Sequence, residues 1–155
     1  MKKLFSSRSG RAERRSGFTF LELLVSITII AILSGVVGLG VYRYIKEARV
    51  TTAKQQIQIL KSAVVAYAAE QGAIPKQEQG LEALVHKSNV PPVPEKFPEG
   101  GYLDSPRVPR DPWKHDYIYL VPGHNGEAFE IISYGSDGEP GGAGDAADIS
   151  SSNLQ

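Results

Sequence analysis

Glu22 stands one turn inside the apolar segment that opens at Phe18, and the twenty residues from Leu23 to Tyr42 carry no formal charge. A carboxylate at membrane depth costs on the order of 2.5–3.5 kcal/mol on insertion scales, so such groups are normally paired and functional. A basic stretch, Arg14-Arg15-Ser16-Gly17, lies immediately before Phe18. Secretory signals are cut after their apolar core, at a small residue. Here the small residue, Gly17, precedes the core. Cleavage between Gly17 and Phe18 keeps the apolar helix and gives it a new amino terminus. A freed ammonium on one subunit is a natural partner for the Glu22 carboxylate of its neighbour, since each is costly alone in lipid. Glu22 is therefore expected to act in assembly.

The second place where chemistry is expected is the C-terminal loop. From His115 onward the chain has seven carboxylates (Asp116, Glu127, Glu130, Asp137, Glu139, Asp145, Asp148) and no Lys or Arg. The stretch Ser136 to Asp148 is rich in glycine and can bury little apolar surface, so something other than a hydrophobic core must order it. Carboxylate oxygens and free backbone carbonyls suit Ca²⁺, which takes six to eight oxygen ligands; the smaller octahedral shell of Mg²⁺ is more demanding. The Asp137–Asp148 spacing has the length of an EF-hand loop, but Gly141 and Asp148 stand where that motif requires other ligands. A strand rather than a helix precedes it. The EF-hand is excluded.

Nothing in the sequence points to catalysis. His86, His115 and His124 lack a His, Cys or carboxylate partner at ligand spacing, and no nucleophile elbow, phosphate loop or zinc signature occurs. Asp137 and Asp148 as an acid pair lack an apolar pocket that could raise a carboxyl pKa. With no Cys there is no disulfide framework and no thiolate metal site.

Several elements must position these groups. A helix of twenty apolar residues covers roughly 30 Å, the hydrocarbon thickness of a bilayer. Residues 18–42 are thus read as a transmembrane and assembly helix. Residues 1–17 carry six basic side chains against Glu13 alone, while the whole chain is neutral; the remainder is therefore net acidic by five. Basic residues beside a span stay cytoplasmic, which places the N-terminus inside and the body outside. The same argument accounts for the one basic cluster without nucleic acid.

Residues 43–71 keep a helical period, with Ala53, Ile57, Leu60, Val64, Tyr67 and Ala68 on one stripe and Gly72 as the stop. A continuous helix from Phe18 to Gln71 would be about 80 Å long. Gly35, Gly38 and Gly40 suit close helix packing in lipid. A connector, 72–112, holds a short helix after Gly80 and a Pro-rich stretch. The segment 113–134 reads as a hairpin that buries one face on the helical stripe, with Asp111-Pro112-Trp113 as a structural corner. The acidic loop, 135–155, completes an α+β head.

The run Gly17-Phe18-Thr19-Phe20-Leu21-Glu22 resembles the processing site of type IV pilins and type II secretion pseudopilins. Gln79-Gly80-Leu81-Glu82-Ala83-Leu84, then Asp111-Pro112-Trp113, then Ser133-Tyr134-Gly135-Ser136-Asp137-Gly138 resemble the major pseudopilins of type II secretion, in the same order. Lys114 departs from the family, standing where Gly is common. The resemblance implies a pilin-like α+β fold, cleavage after Gly17 by a membrane-embedded peptidase, and methylation of the Phe18 amine. It also implies self-assembly into a periplasmic filament that drives export of folded proteins, with minor pseudopilins and an inner-membrane platform as partners. It further implies a calcium loop with Asp137 and Asp148 as ligands. The family often has another Asp two residues before the last; here that position is Ala146, and Asp145 is the candidate substitute. A type IV pilus subunit and a monomeric, single-span periplasmic calcium-binding module are the alternatives.

Overall fold

The computed structural model describes residues 17–154, leaving aside the side chains of residues 36–40. The basic leader read over residues 1–17 lies outside the described residues except for Gly17. The chain separates into two compact units, Met1–Val41 and Tyr42–Gln155. One helix, α1, is continuous from Phe20 to Gln71 and contributes to both.

In the first unit the apolar side chains face outward. Phe18, Phe20 and Leu21 are 80%, 83% and 71% exposed, and Ile27, Ile29, Ile30, Ile32 and Leu33 are all more than half exposed. A helix apolar on every side has no hydrophilic face to turn to water. Among the described residues no helix is long and apolar enough to cross a membrane. The span read over 18–42 falls partly on residues 36–40, whose side chains lie outside the described residues.

In the second unit the sequence periodicity predicts the buried stripe. Ala53, Ile57, Leu60, Val64 and Tyr67 are buried at 5% exposure or less, and Ala68 is half-buried at the edge. Gly72 ends the helix with φ 79°, its amide donating to the Ala68 carbonyl at 2.9 Å. That left-handed conformation is the reason glycine stands there. A 3-10 turn, Leu81–Leu84, follows and buries Leu81, Ala83 and Leu84.

The sheet has three antiparallel strands: β1 Ile118–Leu120, β2 Glu130–Ser133 and β3 Ile149–Ser150, in that spatial order. Ile118 pairs with Ile132 and Leu120 with Glu130; Ser133 pairs with Ile149. The expected hairpin is present, but its strands are shorter than the apolar runs, and a third strand joins it. All four residues of β2 are buried, as a central strand requires. The sequence reading leaves β3 inside the acidic loop, because two residues are too few to show an alternating pattern. Tyr117, Tyr119, Ile131 and Ile149 join the helical stripe in one core, with Trp113 half-buried against it.

Candidate functional site

At the start of α1, Thr19 and Glu22 cap the helix reciprocally. The Glu22 amide donates to Thr19 Oγ1 at 3.2 Å, and the Thr19 amide donates to Glu22 Oε2 at 3.5 Å. This is a capping box, with Thr19 at the N-cap and Glu22 three residues on. The spacing Thr-x-x-Glu was visible in the sequence, and it is the signal that could have assigned this second task to Glu22. Helix capping satisfies backbone amides that otherwise lack partners, and it places the carboxylate at the positive end of the helix dipole. Gly17 has open space around it and Phe18 is exposed, so the expected cleavage point has no packed cover among the described residues.

The corner before the sheet is built on Asp111, whose side chain is fully buried. Its Oδ1 accepts the Trp113 amide at 3.0 Å and the His115 amide at 2.8 Å, while Oδ2 accepts Ser133 Oγ at 2.6 Å. The Asp111 amide donates to the His115 carbonyl, and the Lys114 amide to the Asp111 carbonyl, both at 2.9 Å. This tight turn sets Lys114 at φ 78°, a conformation that favours glycine. The resemblance singled out Asp111-Pro112-Trp113 and Ser133 separately; the fold joins them in one buried hydrogen-bond network. Ser133 gave no signal of its own in the sequence.

Gln79 plays a similar part in the connector. It is buried, accepts the Lys76 amide at 2.8 Å, and donates to the carbonyls of Val90 and Pro92 at 2.8 and 3.0 Å. One amide side chain thereby fastens the Pro-rich stretch to the turn before Leu81–Leu84. Glu130, at the start of β2, is also buried. It accepts Ser150 Oγ from β3 and, at 2.9 and 2.7 Å, the backbone amide and ring Nδ1 of His124. Burial pushes the Glu130 carboxyl up, but the hydrogen bonds from His124 and Ser150 prevail and the net direction is down. The sequence reading missed this group, because a lone Glu in a strand reads as a solvated position.

Each of the three expected metal ligands has a polar partner of its own. Asp137 Oδ1 accepts the Glu139 amide at 3.3 Å, and both carboxylate oxygens of Asp148 accept the Gly141 amide at 2.9–3.0 Å. Asp145 is turned away from them to Lys46 of α1, with Oδ2 and Nζ 3.1 Å apart. The Lys46 hydrogen bond holds the Asp145 carboxyl below its usual range. Among the described residues no three His, Asp or Glu side chains come together as a metal-holding group. Asp145 is thus engaged in an ion pair with Lys46, which projects from α1 toward it. Asp137 and Asp148 keep the hard-oxygen chemistry that suits Ca²⁺. The loop around them is closed tightly, since a Cβ on Gly142 would collide with the Ala146 carbonyl and one on Gly135 would lie 2.7 Å from the Asp145 carbonyl.

Residues 40–152 match the family model described as type II secretion system (T2SS), protein G, and residues 13–38 match the prokaryotic N-terminal methylation motif. The chain is similar to the type II secretion system core protein G of Pseudomonas aeruginosa, with 40% identity over 88% of this chain and 94% of that protein. It is 37% identical to the protein of the same name from Vibrio cholerae, over 94% of this chain and 97% of that one. Among solved structures, the major pseudopilin of the type 2 secretion system of enterohaemorrhagic Escherichia coli superposes with a TM-score of 0.58 at 34% identity. That likeness covers 68% of this chain and 87% of the pseudopilin. With the capped N-terminal helix, the small antiparallel sheet and the Asp111 corner in place, the chain belongs to the type II secretion system protein G family of major pseudopilins.

Proposed function

We propose that this chain is the precursor of the filament subunit of a type II secretion pseudopilus. After removal of residues 1–17 and methylation of Phe18 it polymerises, and the filament drives export of folded proteins across the outer membrane. The observation that carries the reading is the uncovered apolar surface of Phe18 to Leu33. Such a surface is held first by membrane lipid and then by the same helices of neighbouring subunits. Before assembly the chain is a single-pass inner-membrane protein with its N-terminus cytoplasmic and its head periplasmic; residues 36–42 complete the span. Its partners are further copies of itself, minor pseudopilins, the inner-membrane platform and the prepilin peptidase.

The role is structural and not catalytic. Glu22 meets the Phe18 amine of the adjacent subunit and sets register. Asp137 and Asp148 bind Ca²⁺, which supplies positive charge that fastens the acidic loop to the head.

An N-terminal mass spectrum of the mature protein tests the reading: a methylated Phe18 terminus is expected, and a functional protein still beginning at Met1 overturns it. Cross-linking in native membranes tests assembly. Wild-type protein should give a ladder of oligomers, and Glu22→Ala monomer alone; Glu22→Gln separates the charge from the helix cap, which the amide can retain. Calcium titration followed by thermal melting tests the loop, and an unchanged midpoint rejects it.

A further inference from the structure

The acidic loop is fastened to α1 by an ion pair. Asp137 and Asp148 spend their hydrogen bonds inside the loop, on the amides of Glu139 and Gly141. Asp145 alone leaves it, reaching Lys46 Nζ at 3.1 Å, with the two side chains 30–37% exposed. Lys46 is itself aimed, its ammonium lying 4.8 Å from the centroid of the Tyr42 ring one turn earlier on α1. Arg49, on the next turn, adds positive potential at the same carboxylate.

The ion pair acts where the loop closes. The Asp145 carbonyl accepts the Ser136 amide at 2.9 Å, which ties the middle of the loop to the residue before Asp137. Gly135 packs on the same carbonyl, too close for a side chain. Holding Asp145 therefore holds the strand-side entrance of the loop.

We propose that Lys46 is a positioning residue for the acidic loop, a tethered ammonium that keeps it closed through Asp145 in the absence of any divalent ion. The cation-binding task then falls to Asp137 and Asp148; this last clause rests on the calcium reading above, whereas the tether does not. A cation carried on the chain is present at high effective concentration and needs no uptake. An exposed pair of this kind is modest in strength and weakened by salt.

Hydrogen exchange on the full-length protein in detergent micelles, followed at the Ser136 amide in EGTA, decides the matter. Lys46→Met and Asp145→Asn should each speed exchange about threefold, as expected for an exposed ion pair. The double variant should add nothing further, Lys46→Arg should restore protection, and high salt should erase the difference between wild type and Lys46→Met. Exchange in Lys46→Met equal to wild type, or additive losses in the double variant, overturns the proposal. Added millimolar calcium chloride reads the other half: recovery of protection in Lys46→Met supports binding at Asp137 and Asp148. If calcium changes no variant, the cation reading fails while the EGTA measurements still decide the role of Lys46.

Discussion

Ser133 Oγ donates to Asp111 Oδ2 at 2.6 Å in a buried contact that ties the corner before β1 to the last residue of the central strand. The other oxygen of the same carboxylate receives two backbone amides. One side chain thus satisfies three donors, the hydroxyl buried and the two amides partly so.

Truncation at Asp111 leaves all three donors without a partner. Asp111→Ala should destabilise the head by about 3 kcal/mol, whereas Asp111→Asn, which keeps one acceptor oxygen and can donate to Ser133 Oγ, should cost about 1 kcal/mol. Urea unfolding followed by Trp113 fluorescence measures both. Equal effects of the two variants would show that the corner does not depend on the carboxylate.

Lys114 is the one non-glycine residue at positive φ among the described residues, at 78°. An L side chain in that region costs roughly 1–2 kcal/mol, part of which glycine returns through its freer unfolded chain. Lys114→Gly is accordingly expected to stabilise the protein by about 0.5–1 kcal/mol, read as a higher urea midpoint at unchanged slope. Lys114→Val should move the midpoint the other way.

Alkaline pH probes the other side of the core. Tyr117 donates to Gln56 Oε1 at 2.6 Å and Tyr119 to the Pro75 carbonyl at 2.9 Å. Burial pushes both phenols far above their ordinary range, with the Asp111 carboxylate adding to the effect at Tyr117 and Tyr67 at Tyr119. A raised folded pKa means stability is fully present below the unfolded value of about 10 and is lost as pH rises beyond it. Melting temperature should fall above about pH 10, and Tyr117→Phe should lessen that slope while lowering the plateau. A flat profile to higher pH would contradict the burial argument.

Acid acts through Glu130. Its folded pKa is depressed, so its contribution is present above the unfolded carboxyl value and is lost as pH falls through the folded one. Acidification below about pH 4 should therefore loosen β3, because protonation weakens the bond from Ser150 and the pair with His124. Exchange of the Ser151 amide, which donates to the Ile131 carbonyl at 2.8 Å, reports this. Glu130→Gln should exchange faster at neutral pH and lose the acid dependence.

Periodicity and local chemistry settled much of this protein in advance. The stripe from Ala53 to Tyr67 is written at helical spacing, Gly72 stops the helix, and the apolar run from Leu23 to Tyr42 is uncharged over twenty residues. These are properties of neighbours in the chain, and local propensity reads them directly. The motif around Gly17 and Glu22 was equally local, and its capping box was present in the letters even where the reading passed over it.

What only the tertiary structure decided are the long-range pairs. Asp145 meets Lys46, about a hundred residues earlier in the chain. Asp111 and Ser133 stand in separate motifs and share one hydrogen bond. β3 exists only because β2 offers it an edge. A carboxylate takes whichever donor the packed chain brings within about 3 Å, and that choice depends on how α1, the corner and the loop close on one another, which no spacing along the chain encodes.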